Sequence, residues 1–408
     1  MTLPLLDHQR PATKSTPANS ANSATPANPA TPPTETPSRR AWHAGQPVLL
    51  VYIAAAVLHI ALLAAMIPAG GPGIADRLQA WDGQRYVEIA AHGYPSGFTY
   101  TADGQIWGNN LAFFPLFPLL IRAVHTVTDL SWEGAAIVVS QLSMITALLA
   151  VHRLLTRLYN RRTATMGIVL LAMAQPMSLA FFMAYSESLF LALAAGTLLA
   201  AERRAWLTAG LLACLTGLTR PAGVAATVAL AVAASLYLYR RRKAEWRPAA
   251  GVVIGSLGMP VYLLWVANRA GTPGAWFTIQ QAWGTRWDWG SSFLKYLAQS
   301  LTTGDGWVQV SVALLLLAHL AVTILACCRR TWPPLLAYGA VIMILTLGQS
   351  NYYHSKPRLL IPALVFLIPM ADALARARPA SRAVAIACAA LFGCWYGSYM
   401  LTVWSYAI

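Results

Sequence analysis

From about residue 47 onward, long apolar segments alternate with short polar breaks. At roughly 20 residues per helical crossing, fewer where helices are short, the pattern predicts about eleven membrane spans. They fall near 47–68, 134–156, 163–184, 188–201, 205–219, 222–239, 249–268, 307–328, 333–348, 359–375 and 383–404. The fourth and fifth are short for independent crossings, which brackets the count at about nine to twelve. The expected fold class is therefore an all-α polytopic membrane protein. Two long loops, about 69–133 and 269–306, interrupt the series. In the first, Asp82 opens a helical stretch with Tyr86, Ile89 and Ala90 on one face, and Gly93-Tyr94-Pro95 stops it. The apolar stretch Leu111 to Val127, interrupted by Pro115 and Pro118, reads as a helix lying along or dipping into the membrane surface.

Composition supports the membrane reading, since 57% hydrophobic and 11% charged residues over 408 positions do not describe a soluble globular chain. Residues 1–42 differ: Thr, Ala, Pro, Asn and Ser dominate, with too little apolar surface to offset ordering entropy. This segment is expected to be a disordered cytoplasmic tail, followed by one membrane domain over 43–408. No apolar core of signal-peptide length precedes Gln46.

The net charge of +15 would suggest nucleic acid in a soluble protein, but topology accounts for it here. With the tail inside, the inner face carries Arg10, Lys14, Arg39, Arg40, Arg153, Arg157, Arg161, Arg162, Arg203, Arg204, Arg240, Arg241, Arg242, Lys243, Arg247, Arg329, Arg330, Arg376, Arg378 and Arg382. The outer face keeps Arg77, Arg85, Arg122, Arg220, Arg269, Arg286, Lys295, Lys356 and Arg358. Acids divide the other way. Asp76, Asp82, Glu88, Asp103, Asp129, Glu133, Glu187, Asp288 and Asp305 all fall outside, so the outer loops hold most of the candidate chemistry. The implied partners are lipids, with basic inner loops able to touch anionic headgroups.

Several groups stand out, each with two readings. Asp82 is either a helix cap beside an interfacial Trp81 or a reactive carboxylate. Glu187, between two apolar runs, is either a functional carboxylate facing protein, water or a cation, because an unpaired carboxylate at membrane depth is costly, or the carboxylate of a hairpin turn. Arg220, in Thr219-Arg220-Pro221, either binds an anionic ligand or pairs with Glu187. Tyr352, Tyr353, His354, Lys356 and Arg358 form either a phosphate site or an interfacial anchor. Trp276, Trp283, Trp287 and Trp289 offer stacking faces or a loop resting on the membrane, the latter favoured for Trp276. The chain has no Gly-rich phosphate loop after a strand, no metal-spaced His or Cys cluster and no Gly-x-Ser-x-Gly turn. Cys214, Cys327, Cys328, Cys388 and Cys394 sit in or at the ends of apolar spans and read as small core residues.

Taken together, Trp81 to Tyr94, Ala112-Phe113-Phe114-Pro115-Leu116-Phe117-Pro118, Ser186-Glu187-Ser188-Leu189-Phe190, Thr219-Arg220-Pro221-Ala222-Gly223 and Pro357-Arg358-Leu359-Leu360 resemble the PIG-V-like mannosyltransferases. These are C-type (GT-C) polytopic glycosyltransferases that use polyprenyl-phosphate sugars. The resemblance implies mannose transfer, with inversion, from a polyprenyl-phosphate-mannose donor to a lipid-linked or cell-envelope acceptor on the extracytoplasmic face. It implies Asp82 as general base, Arg358, Lys356, His354 and Arg220 as donor-phosphate ligands, and Glu187, Trp81, Tyr86 and Tyr353 as positioning groups. No cofactor is required by that scheme, although Asp82 with Glu187 can hold a divalent ion if the fold unites them. The expected location is a bacterial plasma membrane, with the N-terminus cytoplasmic. A lipid transporter or flippase is the competing class, and it wants mid-membrane ionisable groups and related halves that the sequence does not display. A non-catalytic scaffold using the Trp-rich loop is the third.

Overall fold

The computed structural model describes residues 37–329 and 331–407. The tail expected over 1–42 therefore lies almost wholly outside the described residues, and all packing considered below belongs to His43–Ile408. Within it, helices dominate, and the architecture is that of a multi-pass membrane protein. Six helices are long and apolar enough to cross a membrane: Gly45–Met66, Trp132–Leu158, Pro221–Arg241, Trp246–Ala270, Trp307–Cys328 and Pro379–Thr402. The pair Tyr353–Leu360 and Leu364–Arg376, bent by 72°, is a broken span or a re-entrant loop, and counts as a seventh crossing if it is one span. The remaining predicted spans appear as the shorter helices Glu187–Glu202, Trp206–Gly217 and Pro333–Leu347, and as a broken run from Arg161 to Phe181.

Ionic contacts sort these helices into two polar ends. Arg157 meets Glu202, and both Arg329 and Arg376 meet Asp372, the three arginines belonging to the set assigned inside. Arg85 meets Glu88, Arg220 meets Glu187, and Arg358 meets both Asp82 and Glu187, all from the set assigned outside.

Several predicted spans are not regular helices, and each departure has a local cause. The span expected over 163–184 is helical only from Arg161 to Val169, widens into a π turn over Leu170–Ala174, and then breaks at Gln175-Pro176. Its freed carbonyls are taken up by neighbouring side chains, as irregular backbone at membrane depth requires. The hydroxyl of Ser140 donates to Met183 O at 2.6 Å, Gln141 Nε2 to Phe182 O at 2.8 Å and Ser188 Oγ to Phe181 O at 2.6 Å. Pro362 lies within the bend between Tyr353–Leu360 and Leu364–Arg376, where proline removes a donor and clashes with the preceding turn.

The loops carry more structure than the pattern predicts. The first contains helix Asp82–His92, stopped at Gly93 as expected, and helix Leu116–Thr128, which starts after Pro115 and not at Leu111. Between them a two-residue antiparallel pair, Thr99–Tyr100 with Ile106–Trp107, closes over Asp103-Gly104. The second loop folds into helices Ala275–Ala282 and Ser291–Thr302. Trp276 is inside the protein, packed against Phe114 with its indole N–H directed at Ala112 O, so the membrane-resting expectation for it is corrected. The five cysteines are free thiols.

Helices Trp206–Gly217 and Trp246–Ser256 approach backbone to backbone. A methyl group added at Gly251 would stand 2.4 Å from Trp206 O, and one at Gly210 would stand 2.4 Å from Gly251 O. Small residues let membrane helices pack closely where no hydrophobic drive separates helix from lipid. Gly251→Leu should therefore lower stability by about 1–3 kcal/mol, the range for overpacking. Unfolding of the purified protein in detergent measures this, and an unchanged midpoint would refute the close-approach argument.

Candidate active site

The site is assembled where four breaks in the helical pattern meet. The first is the turn before Asp82. Trp81 has φ 61° and ψ −112°, a strained backbone for a residue with a side chain, and it occupies the N-cap position that the sequence offered to Asp82. Asp82 is thus the first helical residue, and its carboxylate is directed into the protein, where Arg358 Nη1 donates to Oδ2 at 2.8 Å. The turn is held from both sides: Ala184 N–H donates to Leu78 O at 2.8 Å and Tyr185 O–H to Ala80 O at 3.0 Å. Further along the helix, the Tyr86 hydroxyl and Ser186 Oγ share a hydrogen bond of 2.8 Å, with the Tyr86 ring wedged edge-on against Phe113 and Phe117. Burial raises the Tyr86 phenol pKa, so it stays a neutral hydrogen-bonding group.

The second break places Glu187 at the start of helix Glu187–Glu202, at 1% exposure. The third is the extended link at Arg220, between Trp206–Gly217 and the short turn Pro221–Gly223. It is anchored by Leu116 N–H donating to Leu218 O at 3.0 Å. The fourth is the short helix Lys356–Leu360, which carries Arg358 at 7% exposure. Glu187 joins the last two: its Oε1 lies 2.5 Å from Arg220 Nη1 and 3.4 Å from Arg358 Nε. Arg358 also lies over the Tyr185 ring at 4.9 Å, a cation–π contact. Burial works against the charge on Arg220, and the Glu187 carboxylate more than restores it, leaving the guanidinium pKa above its usual value.

These groups border a cavity of about 330 Å³. Of the residues singled out in the sequence, Asp82, Tyr86, Arg220, Trp283, Tyr352, Lys356 and Arg358 line it. Glu187 stands behind the two arginines. Lys356 spends two of its three N–H groups on Thr346 O and Gln349 O, both at 2.6 Å, so it caps the end of helix Pro333–Leu347 while adding charge to the wall. His354, Tyr353 and Trp81 are not among the lining residues. His354 packs towards Trp404 and Tyr406, Tyr353 stacks on Tyr296 at 4.3 Å, and Trp81 shapes the site through its backbone.

The sequence reading passed over Gln280, Thr285 and Asn351, which complete the polar wall with Trp283. The helix Ala275–Ala282 that brings Gln280 in has only a weak pattern, and nothing local marked the others. Phe190, Ala222, Leu345, Leu359 and Pro362 form an apolar wall. Asp82 and Glu187 are brought together through Arg358, and among the described residues no three His, Cys, Asp or Glu side chains gather as a metal-ligand set.

Glu187→Gln leaves two buried guanidinium groups short of a counter-charge. Loss of one partner in a buried pair costs about 3–5 kcal/mol, so this variant should be far less stable than the wild type. Adding Arg220→Gln to it should recover part of the loss. Denaturant unfolding in detergent reads both, and a loss below about 1 kcal/mol, the range of surface pairs, would show that the pair is solvated.

No family model matches the chain. Over 122 residues it is 29% identical to GPI mannosyltransferase 2 of Drosophila pseudoobscura pseudoobscura, a stretch covering 28% of this chain and 25% of that protein. The match thus spans about a quarter of the length of that curated relative. The crystal structure of the Archaeoglobus fulgidus oligosaccharyltransferase in the apo form superposes with a TM-score of 0.52 at 15% identity, over 91% of this chain and 57% of that one. ArnT from Cupriavidus metallidurans gives a TM-score of 0.48 at 19% identity, over 84% of this chain and 61% of that one. The chain thus shares its helical architecture with the oligosaccharyltransferase, and one 122-residue stretch of it is similar to GPI mannosyltransferase 2.

Proposed function

We propose that the protein is a glycosyltransferase that moves mannose from a polyprenyl-phosphate-mannose donor to a lipid-linked or cell-envelope acceptor at the extracytoplasmic face. The observation that carries this reading is the placement of one carboxylate, Asp82, opposite two guanidinium groups, Arg358 and Arg220, on the wall of a single cavity. Sugar transfer from a lipid phosphate needs those two charges in opposition: a base for the acceptor hydroxyl and cations for the departing phosphate. The apolar wall of Phe190, Leu345, Leu359 and Pro362 suits the first isoprene units of the donor. Mannose is supported by the similarity to GPI mannosyltransferase 2.

In the step itself, the acceptor oxygen bonds to the anomeric carbon as its proton passes to Asp82 Oδ. The bond from the anomeric carbon to the phosphate oxygen breaks, and its electron pair leaves with the lipid phosphate. That group gains one negative charge, which Arg358 and Arg220 are placed to receive. A single displacement of this kind inverts the anomeric configuration. Because a phosphate already carries charge well, alignment of acceptor, carbon and phosphate supplies much of the rate, and Tyr86 and the Gln280–Trp283 wall are positioned to provide it.

Asp82→Asn should lower mannosyl transfer from polyprenyl-phosphate-mannose by about 10²-fold or more, the usual contribution of a positioned base, with folding intact. Transfer into the lipid or envelope fraction of proteoliposomes and native membranes, with thermal unfolding as the folding control, measures it. Full retention of transfer by a folded Asp82→Asn protein would falsify the assignment.

A further inference from the structure

The Asp82–Arg358 contact has two properties that do not suit a resting general base. The Asp82 oxygen that accepts from Arg358 Nη1 is not open to an acceptor hydroxyl while that bond stands. The Arg358 Nη1 donor that Asp82 occupies is likewise not free for a phosphate. In the structure each of these groups blocks the other, with Arg358 Nη1 donating to Asp82 Oδ2 at 2.8 Å.

The surrounding groups indicate which contact yields. Glu187 is 2% exposed in its side chain and holds both arginines, with Arg220 Nη1 at 2.5 Å and Arg358 Nε at 3.4 Å. Freeing it would strand a buried carboxylate away from its cations. Asp82 is 31% exposed in its side chain, meets Arg358 through one nitrogen, and lies on the cavity side. Two carboxylates and two guanidinium groups give the cluster no net charge. Lys356 adds charge to the wall, but a phosphate that is to take the Arg358 Nη1 donor has to displace an internal anion, and Asp82 is the anion that water and ligand can reach.

We infer that Arg358 is a shared partner that couples donor binding to activation of the base: the donor phosphate displaces Asp82 from Arg358, and only then is Asp82 free to accept the acceptor's proton. Glu187 is the fixed counter-ion, a positioning residue that holds both arginines in place while Arg358 changes partner. The donor therefore binds before the acceptor can react, and an acceptor hydroxyl or water meeting the empty site finds a masked base. This inference rests on the proposed use of a lipid-phosphate donor.

The exchange makes Asp82 a competitor of the phosphate, which gives a test by binding alone. The probe is sugar-free polyprenyl phosphate, titrated into the purified full chain in lipid nanodiscs. Asp82→Asn should bind it roughly tenfold tighter than wild type, the scale of one charged hydrogen bond. Arg358→Gln should bind roughly tenfold weaker, and the double variant should match Arg358→Gln alone, because without Arg358 there is nothing left to compete for. Asp82→Ala runs beside Asp82→Asn in case one of them folds poorly. Glu88→Gln serves as the control for general repulsion, since Glu88 sits on the same helix but pairs with Arg85. Unchanged affinity in both Asp82 variants, or a gain that persists without Arg358 or is matched by Glu88→Gln, overturns the exchange. If wild type binds with the expected Arg358 dependence while that happens, the lipid-phosphate reading survives and only the coupling fails. Absence of saturable binding to wild type overturns both.

Discussion

Glu187 is the constraint around which the site is arranged. A carboxylate at 1% exposure among membrane helices is tenable only with cations against it, and two are supplied from distant parts of the chain. Arg220 comes from the link between two helices, and Arg358 comes from a short helix beside a bend. To deliver them, the chain has to break where these side chains meet Glu187. That requirement accounts for a cluster of breaks that would otherwise be costly: the π turn and Gln175-Pro176, the Thr219-Arg220-Pro221 link and the bend at Pro362. Each break exposes backbone groups, and each is stabilised by neighbouring polar side chains or by the ion pairs themselves.

The same constraint explains the strained turn at Trp81. Asp82 has to lie within hydrogen-bond distance of Arg358 while the helix behind it packs Tyr86, Ile89 and Ala90 inward. An ordinary cap with Asp82 at the N-cap would turn the carboxylate back onto its own helix. A left-handed residue one position earlier turns it towards the cavity instead, and the bonds from Tyr185 and Ala184 hold the turn in place. Strain of this kind persists when surrounding contacts over-determine it.

How much of this was legible in the sequence depended on range. The apolar segments were legible because hydrophobic length is a local property: six of them coincide with helices long and apolar enough to cross a membrane, and the bent pair brings the number to seven if it is one span. The helix Asp82–His92 and its stop at Gly93 followed from local pattern as well. The π turn left no signature beyond Gln175-Pro176, and the positive φ at Trp81 left none, since a bulky aromatic is the last residue expected there. Asp82 and Arg358 are 276 positions apart, so their meeting is a property of packing that no local pattern encodes. Both alternatives for Arg220, ligand group and partner of Glu187, are compatible with where it sits, because it pairs with Glu187 and also lines the cavity. Trp276 misled because an aromatic in a loop between spans looks interfacial, whereas here the loop folds back over the protein.

The central claim is that one cavity joins a carboxylate to a phosphate-binding arginine pair. An experimental structure of the full chain with a non-hydrolysable polyprenyl-phosphate-mannose analogue bound tests it most directly. The account predicts the phosphate oxygens within hydrogen-bond distance of Arg358 and Arg220, Glu187 still bridging the two arginines, and Asp82 released from Arg358 and facing the anomeric carbon. A phosphate bound away from both arginines, with Arg358 still paired to Asp82, would contradict it.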